Sequence, residues 1–128
     1  MSTYLKTADL DASILTYKIV EDSRLAEVAI VDVTQGSGTL RSIEVDASSA
    51  TAHQYLKLKF TSTDVTVGTT VPDMVIFCAS QKRFTQAMPS GLSFDGLSAW
   101  LVSSQADTSA ANTEAAAGRY TTVRFITT

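Results

Sequence analysis

The sequence predicts an all-β fold, an antiparallel β-sandwich or a jelly-roll relative, with an extended N-terminal arm. Three observations carry the prediction. Eight or nine short runs rich in β-branched and aromatic residues recur along the 128 residues, bounded by Gly, Pro, Asp or Ser turn signals. No run shows an apolar stripe at helical spacing over the length of a stable helix. Ser and Thr together number 33 while only 18% of residues are charged, a balance that suits half-buried strands and surfaces packed against neighbours. The length supports one domain with a single core. Within it, residues 1–38 read as an arm and first strands, available for exchange between subunits, and residues 39–128 as the sandwich body.

Taken in order, Ile14–Val20 (ILTYKIV) is a strand, and Glu21-Asp22-Ser23 reads as the turn that ends it. Leu25–Val33 (LAEVAIVDV) is dense in β-branched residues and reads as a strand buried on both sides over part of its length. Gln35-Gly36-Ser37-Gly38 is a flexible turn. Leu40–Asp46 directs Ile43 and Val45 inward and Ser42, Glu44 and Asp46 outward, and Ala47–Ala52 is a small polar loop. His53–Phe60 (HQYLKLKF) alternates most cleanly: Leu56, Leu58 and Phe60 face inward, Tyr55, Lys57 and Lys59 face water. Thr61–Val71 is a connection that turns at Gly68 and is stopped by Pro72-Asp73. Met74–Ala79 (MVIFCA) is a continuous apolar run and reads as a core strand. Gln81-Lys82-Arg83 is a polar turn, and Phe84–Met88 resumes a strand.

The stretch MPSGLSFDGLSAW, residues 88–100, holds two Gly-Leu-Ser triplets. Pro presets φ and Gly allows positive φ, so Pro89-Ser90-Gly91 reads as a turn. Leu92–Phe94 is then a short strand, and Asp95-Gly96 a second turn with a bend or bulge. Leu97–Ser103 is a strand, Gln105–Gly118 a long loop without an apolar stripe, and Tyr120–Ile126 the closing strand, with Val123 and Phe125 on one face.

Chemistry-bearing motifs are sparse. The net charge is −3 with a pI near 4.9, and the basic residues are scattered, with Lys57/Lys59 and Lys82-Arg83 the densest groups. That layout argues against nucleic-acid binding. Cys78 stands alone, with no partner for a disulfide and no zinc spacing, and reads as a buried thiol acting as a small hydrophobe. His53 is the sole histidine; without a nucleophile motif or further ligands it reads as an exposed or capping residue. Asp9/Asp11, Glu21-Asp22 and Glu44/Asp46 read as solvated carboxylates, since Asp9-x-Asp11 lacks the remaining ligands of a calcium loop. The Gly36-Ser37-Gly38 turn lacks the Lys and helix of a phosphate cradle. No catalytic, cofactor-binding or metal-ligating residue is expected, no cofactor, and no enzymatic activity. No apolar run approaches the ~18 residues of a membrane span, and the N-terminus lacks a signal-peptide layout. Trp100 and the four tyrosines could line a sugar platform, but a Trp in Ala99-Trp100-Leu101-Val102 reads first as core or interface.

The stretches LRSIEVDASS (Leu40–Ser49), YLKLKF (Tyr55–Phe60), VGTTVPDMVIF (Val67–Phe77) and MPSGLSFDGLSAWLVS (Met88–Ser103) resemble, in that order, small β-sandwich structural proteins of tailed bacteriophages. The resemblance covers about half the chain and leaves the first forty residues unmatched. His53-Gln54 and Gln81–Arg83 depart from the pattern. The resemblance implies a virion component: a capsid decoration, or cement, protein that clamps neighbouring coat-protein subunits and stabilises the shell. A tail or baseplate component and a carbohydrate-binding sandwich module are the alternatives. It also implies a homo-oligomer, expected as a trimer, with the major capsid protein as partner and neither nucleic acid nor membrane. The expected place is the capsid surface, after synthesis in the host cytoplasm without a signal peptide. Sheet edges must be covered or paired, and exchange of the N-terminal arm within a closed ring would do this. Tyr4, Leu5, Tyr17 and Trp100 are the candidate interface residues.

Overall fold

Period-two alternation of apolar residues builds two facing sheets. A computed structural model describes residues 3–11, 15–31, 36–61 and 64–128, with side chains from residue 18 onward. Its strands are β1 (Thr3–Asp11), β2 (Leu15–Leu25), β3 (Gly38–Asp46), β4 (Gln54–Lys59), β5 (Met74–Cys78), β6 (Arg83–Phe94), β7 (Ser98–Val102) and β8 (Thr121–Thr127). One sheet has the order β1-β2-β8-β3-β6 and the other β5-β4-β7, with every pairing antiparallel. The all-β sandwich is therefore as the sequence predicts. Between the sheets, Val20, Ile43, Val45, Val123 and Phe125 of the larger face Leu56, Leu58, Ala99 and Leu101 of the smaller, all of them buried. Each Val, Leu, Ile or Phe among them contributes about 1.5–3 kcal/mol by leaving water.

Four expectations about single elements are corrected. Glu21-Asp22-Ser23 is not a turn: it lies inside β2, which shifts register against β8 between Asp22 and Leu25. Of the expected strand Leu25–Val33, residues 26–31 do not form one. The chain leaves the sheet after Leu25 and crosses beside β7, where Ile30 and Ala99 exchange backbone hydrogen bonds of 2.8 and 2.9 Å and Leu101 N–H donates to the Ala26 carbonyl at 2.8 Å. Residues 32–35 lie outside the described residues. β-Branched density signals an extended backbone, but here that backbone caps a sheet edge. Pro89-Ser90-Gly91 is not a reversal, because β6 runs through it. Leu40 pairs with Leu92 and Ser42 with Ala87, so the residues between Ala87 and Leu92 swell out of the ladder as a wide bulge. Gly91 serves it with φ of 73°, and a Cβ there would collide with the Thr39 side chain. The bulge thus precedes Asp95-Gly96, which is the corner where the chain passes from one sheet to the other. The fourth correction concerns Lys57, which is buried instead of wet.

The cause of that burial is the segment between β7 and β8. It holds one short helical turn, α1 (Thr113–Ala116), where the sequence predicts only loop. Asn112 caps it, its Oδ1 accepting from Ala115 N–H at 3.0 Å. The Asn112 amide donates to the Leu101 carbonyl at 3.0 Å and to Gln54 Oε1 at 2.9 Å, and Gln54 in turn donates to Thr121 Oγ1 at 2.8 Å. This buried chain of amides and a hydroxyl fastens the segment to β4, β7 and β8. Glu114 anchors it a second time: the buried carboxylate accepts from Thr51 N–H at 2.9 Å and pairs with Arg119 Nε at 2.5 Å. The segment so held lies over the outer face of β4, where Lys57 Nζ donates to the Ala106 carbonyl at 2.5 Å. Desolvation lowers the Lys57 pKa, and nearby Asp107 partly offsets it.

Candidate functional site

Among the described residues the two sheets end in four edge strands, and three of these are guarded. Beside β7 lies the chain's own 26–30 segment, bonded to it through the backbone. β6 carries Pro89 and its wide bulge, and both features discourage pairing. β1 carries Lys6, Asp9 and Asp11 in its sequence and shifts register between Asp9 and Asp11. β5 has no such device. It is Met-Val-Ile-Phe-Cys, without charge, Pro or Gly, and it pairs with β4 in unbroken register from Gln54↔Cys78 to Leu58↔Met74. Among the described residues no strand pairs with its other flank.

The sequence makes Met74–Ala79 a core strand because its apolar run is continuous. The tertiary structure puts it at an edge, with Val75 42% and Phe77 49% exposed on the outer face. Both ends of β5 are pinned. At its entry the Asp73 carboxylate accepts from Phe60 N–H at 2.8 Å and from Lys59 Nζ at 3.2 Å, and Asp73 N–H donates to the Leu58 carbonyl at 2.8 Å. The Phe60 N–H bond, more than the Lys59 charge, holds the Asp73 carboxyl below its ordinary pKa. At its exit the exposed His53 Nδ1 accepts from Ser80 N–H at 3.1 Å, beside a turn in which Gln81 takes φ of 60°. The His53 and Tyr55 rings flank Phe77 with centroids 4.9 and 5.5 Å away.

On its inner side β5 faces β6 across an open cleft of about 460 Å³, to which Met74, Ile76, Met88 and Leu92 contribute the apolar wall and Gln86 and Ser90 the polar rim. Edge, patch and cleft are contiguous. Together they offer a neighbour main-chain hydrogen-bonding groups and apolar area. These are the features that an added strand would use.

Other groups are spent on the fold. Cys78 is buried, and desolvation pushes its thiol up to about 12, which favours the protonated form. A second cleft of about 340 Å³ on the outer face of the larger sheet is lined by charges of both signs, among them Glu44, Asp46, Arg83 and Arg124. Arg83 pairs with Asp46 at 3.2 Å, and Arg124 pairs with Glu21 and, at 3.7 Å, with Glu44. The Glu21 bond is the main reason the Arg124 pKa is raised. Hydrogen bonds from Ser48 lower the Asp46 pKa. No cluster of metal-ligating side chains occurs among the described residues, and no helix among them is long and apolar enough to cross a membrane.

Of the candidate interface residues, Trp100 is only 1% exposed. It stands opposite Lys57 in the β4–β7 ladder, so it packs within its own chain and offers nothing to a partner or a sugar. Tyr4 and Leu5 stand in β1 opposite Glu21 and Val20, and Tyr17 in β2 opposite Ala8; their side chains lie outside the described residues. Sequence reading passed over Val75 and Phe77. The available signal was the absence of any charge, Pro or Gly within Met74–Cys78. Comparison with protein-family models, with curated proteins and with solved structures found no match.

Proposed function

We propose that this protein is a structural component of a phage particle, a decoration protein that sits on the capsid surface and clamps neighbouring coat-protein subunits. The observation that carries the reading is the unguarded β5 edge, pinned at both ends and joined to the exposed Val75 and Phe77 and the half-buried Tyr55. A strand held in its bonding conformation before a partner arrives loses little entropy on binding, so its affinity goes to the contact itself. The role is one of adhesion and asks for no reacting group. The likeness of Leu40–Ser103 to phage sandwich proteins supports the same class. A sugar-binding role is less well served, because the Tyr55 and Phe77 rings are tilted by 57° and present no single flat face. The test is co-sedimentation with capsid shells of the phage that encodes the protein. Saturable binding at micromolar concentration is expected; protein that stays in the supernatant at every concentration overturns the reading.

A further inference from the structure

We propose that β5 is a self-association edge: two copies of the chain pair antiparallel through Met74–Cys78, joining their three-stranded sheets into one continuous six-stranded sheet. Among the described residues, three of the four edge strands are guarded by a bulge, a proline, charges or covering chain, and β5 is bare. Bare apolar edges are pairing sites.

The self-complementarity of β5 identifies the occupant as a second copy. Two identical strands related by a two-fold axis pair antiparallel, and residues directly opposite each other must share a face. Period-two alternation allows only registers that meet this parity. Among them, the one centred on Ile76 pairs the whole strand: Met74 with the second copy's Cys78, Val75 with its Phe77, and Ile76 with its counterpart. Every facing pair is then apolar, and no like charges meet. Asp73 and the Gln81-Lys82-Arg83 turn bound the apolar run on either side. Centred elsewhere, the pairing would leave strand residues unmatched.

On the outer face this register continues the aromatic row. Tyr55, already against Phe77, would be followed by the second copy's Val75. The exposed area of both side chains is covered together, twice over by symmetry. The contact is short against the ~1,200 Å² or more of a standard interface, so the dimer is expected to depend on concentration.

The inference concerns the same β5 edge as the adhesion reading and gives it to a second copy in the free protein, so a coat-protein strand would have to displace that copy; the two readings fail separately. A β5 dimer that ignores shells leaves the inference standing and removes the capsid role. A monomer that binds shells does the reverse.

The experiment is sedimentation equilibrium of the full chain across a wide concentration range. Wild type should show a monomer–dimer equilibrium. Val75→Lys and Phe77→Glu should each weaken it at least tenfold. Both side chains face solvent in the single chain, so unchanged circular dichroism is expected of either variant. Mixing the two variants should restore heterodimers, because position 75 of one chain meets position 77 of the other and the new charges attract. A wild-type monomer at all concentrations, a dimer indifferent to Val75→Lys, or mixed variants that fail to recover would each overturn the proposal. So would shell binding by a monomeric wild type that Val75→Lys abolishes, which would give the edge to a coat-protein strand.

Discussion

Glu114→Gln removes one charge from the anchor of the β7–β8 segment and leaves its shape. The carboxylate is buried and accepts from Thr51 N–H and from Arg119 Nε and Nη2. The Arg119 bond contributes most to bringing its pKa from 4.5 to about 2. A tenfold change in proton affinity is worth about 1.4 kcal/mol, so the full shift sets a ceiling of roughly 3 kcal/mol. Arg119 is 39% exposed, and solvent screening of the pair brings the expected loss to about 1–2 kcal/mol. The sign follows from linkage. The folded pKa lies below the unfolded one, so this stability is present above about pH 4.5 and lost as pH falls through about 2. Urea unfolding of wild type and variant should therefore differ by about 1–2 kcal/mol at pH 7, with the gap closing toward pH 2. The lowered carboxylates Asp46 and Asp73 are common to both proteins and cancel in the difference. A variant as stable as wild type at pH 7, or a gap that persists at pH 2, would refute the anchoring role.

Asn112→Ala removes a helix cap and leaves the buried Gln54 Oε1 without its donor; a loss of about 2–4 kcal/mol is expected in chemical unfolding, and a loss below ~1 kcal/mol would contradict the buried network. Gly91→Ala meets both a positive φ and the Thr39 side chain; it should cost about 1–3 kcal/mol, and an unchanged melting temperature would count against the bulge geometry. Cys78 should stay unmodified by a thiol reagent at pH 8 in the native protein and react at once in urea. Rapid native labelling would show that the core opens there.

Strand positions were legible wherever one face is buried and the other wet. Val123 and Phe125 face the core as the alternation of the closing strand predicts, and so do Ile43 and Val45. Lys57 shows where the rule fails: its period-two position is outward, but the segment fastened by Asn112 and Glu114 lies over it. The fastening residues come from positions 51, 54, 112, 114, 119 and 121, a spread that no local window connects. The open edge was hidden for a related reason. A continuous apolar run is compatible with burial on both faces or with an edge left for a partner, and only strand order separates the two.

Sequence by itself determined the all-β class of fold, since alternating apolar residues with frequent turn signals and no amphipathic helix leave sheets only one another to pack against. It also pointed to Cys78 as a buried small hydrophobe, because a lone thiol in an apolar run is drawn into the core, and the structure buries it. Tertiary structure decided which strands end the sheets, which lysine is covered, and that Trp100 turns into its own chain while Val75 and Phe77 face out. These depend on which segments, distant in sequence, come to lie side by side, and pairing between strands is a property of the assembled sheet rather than of any strand alone.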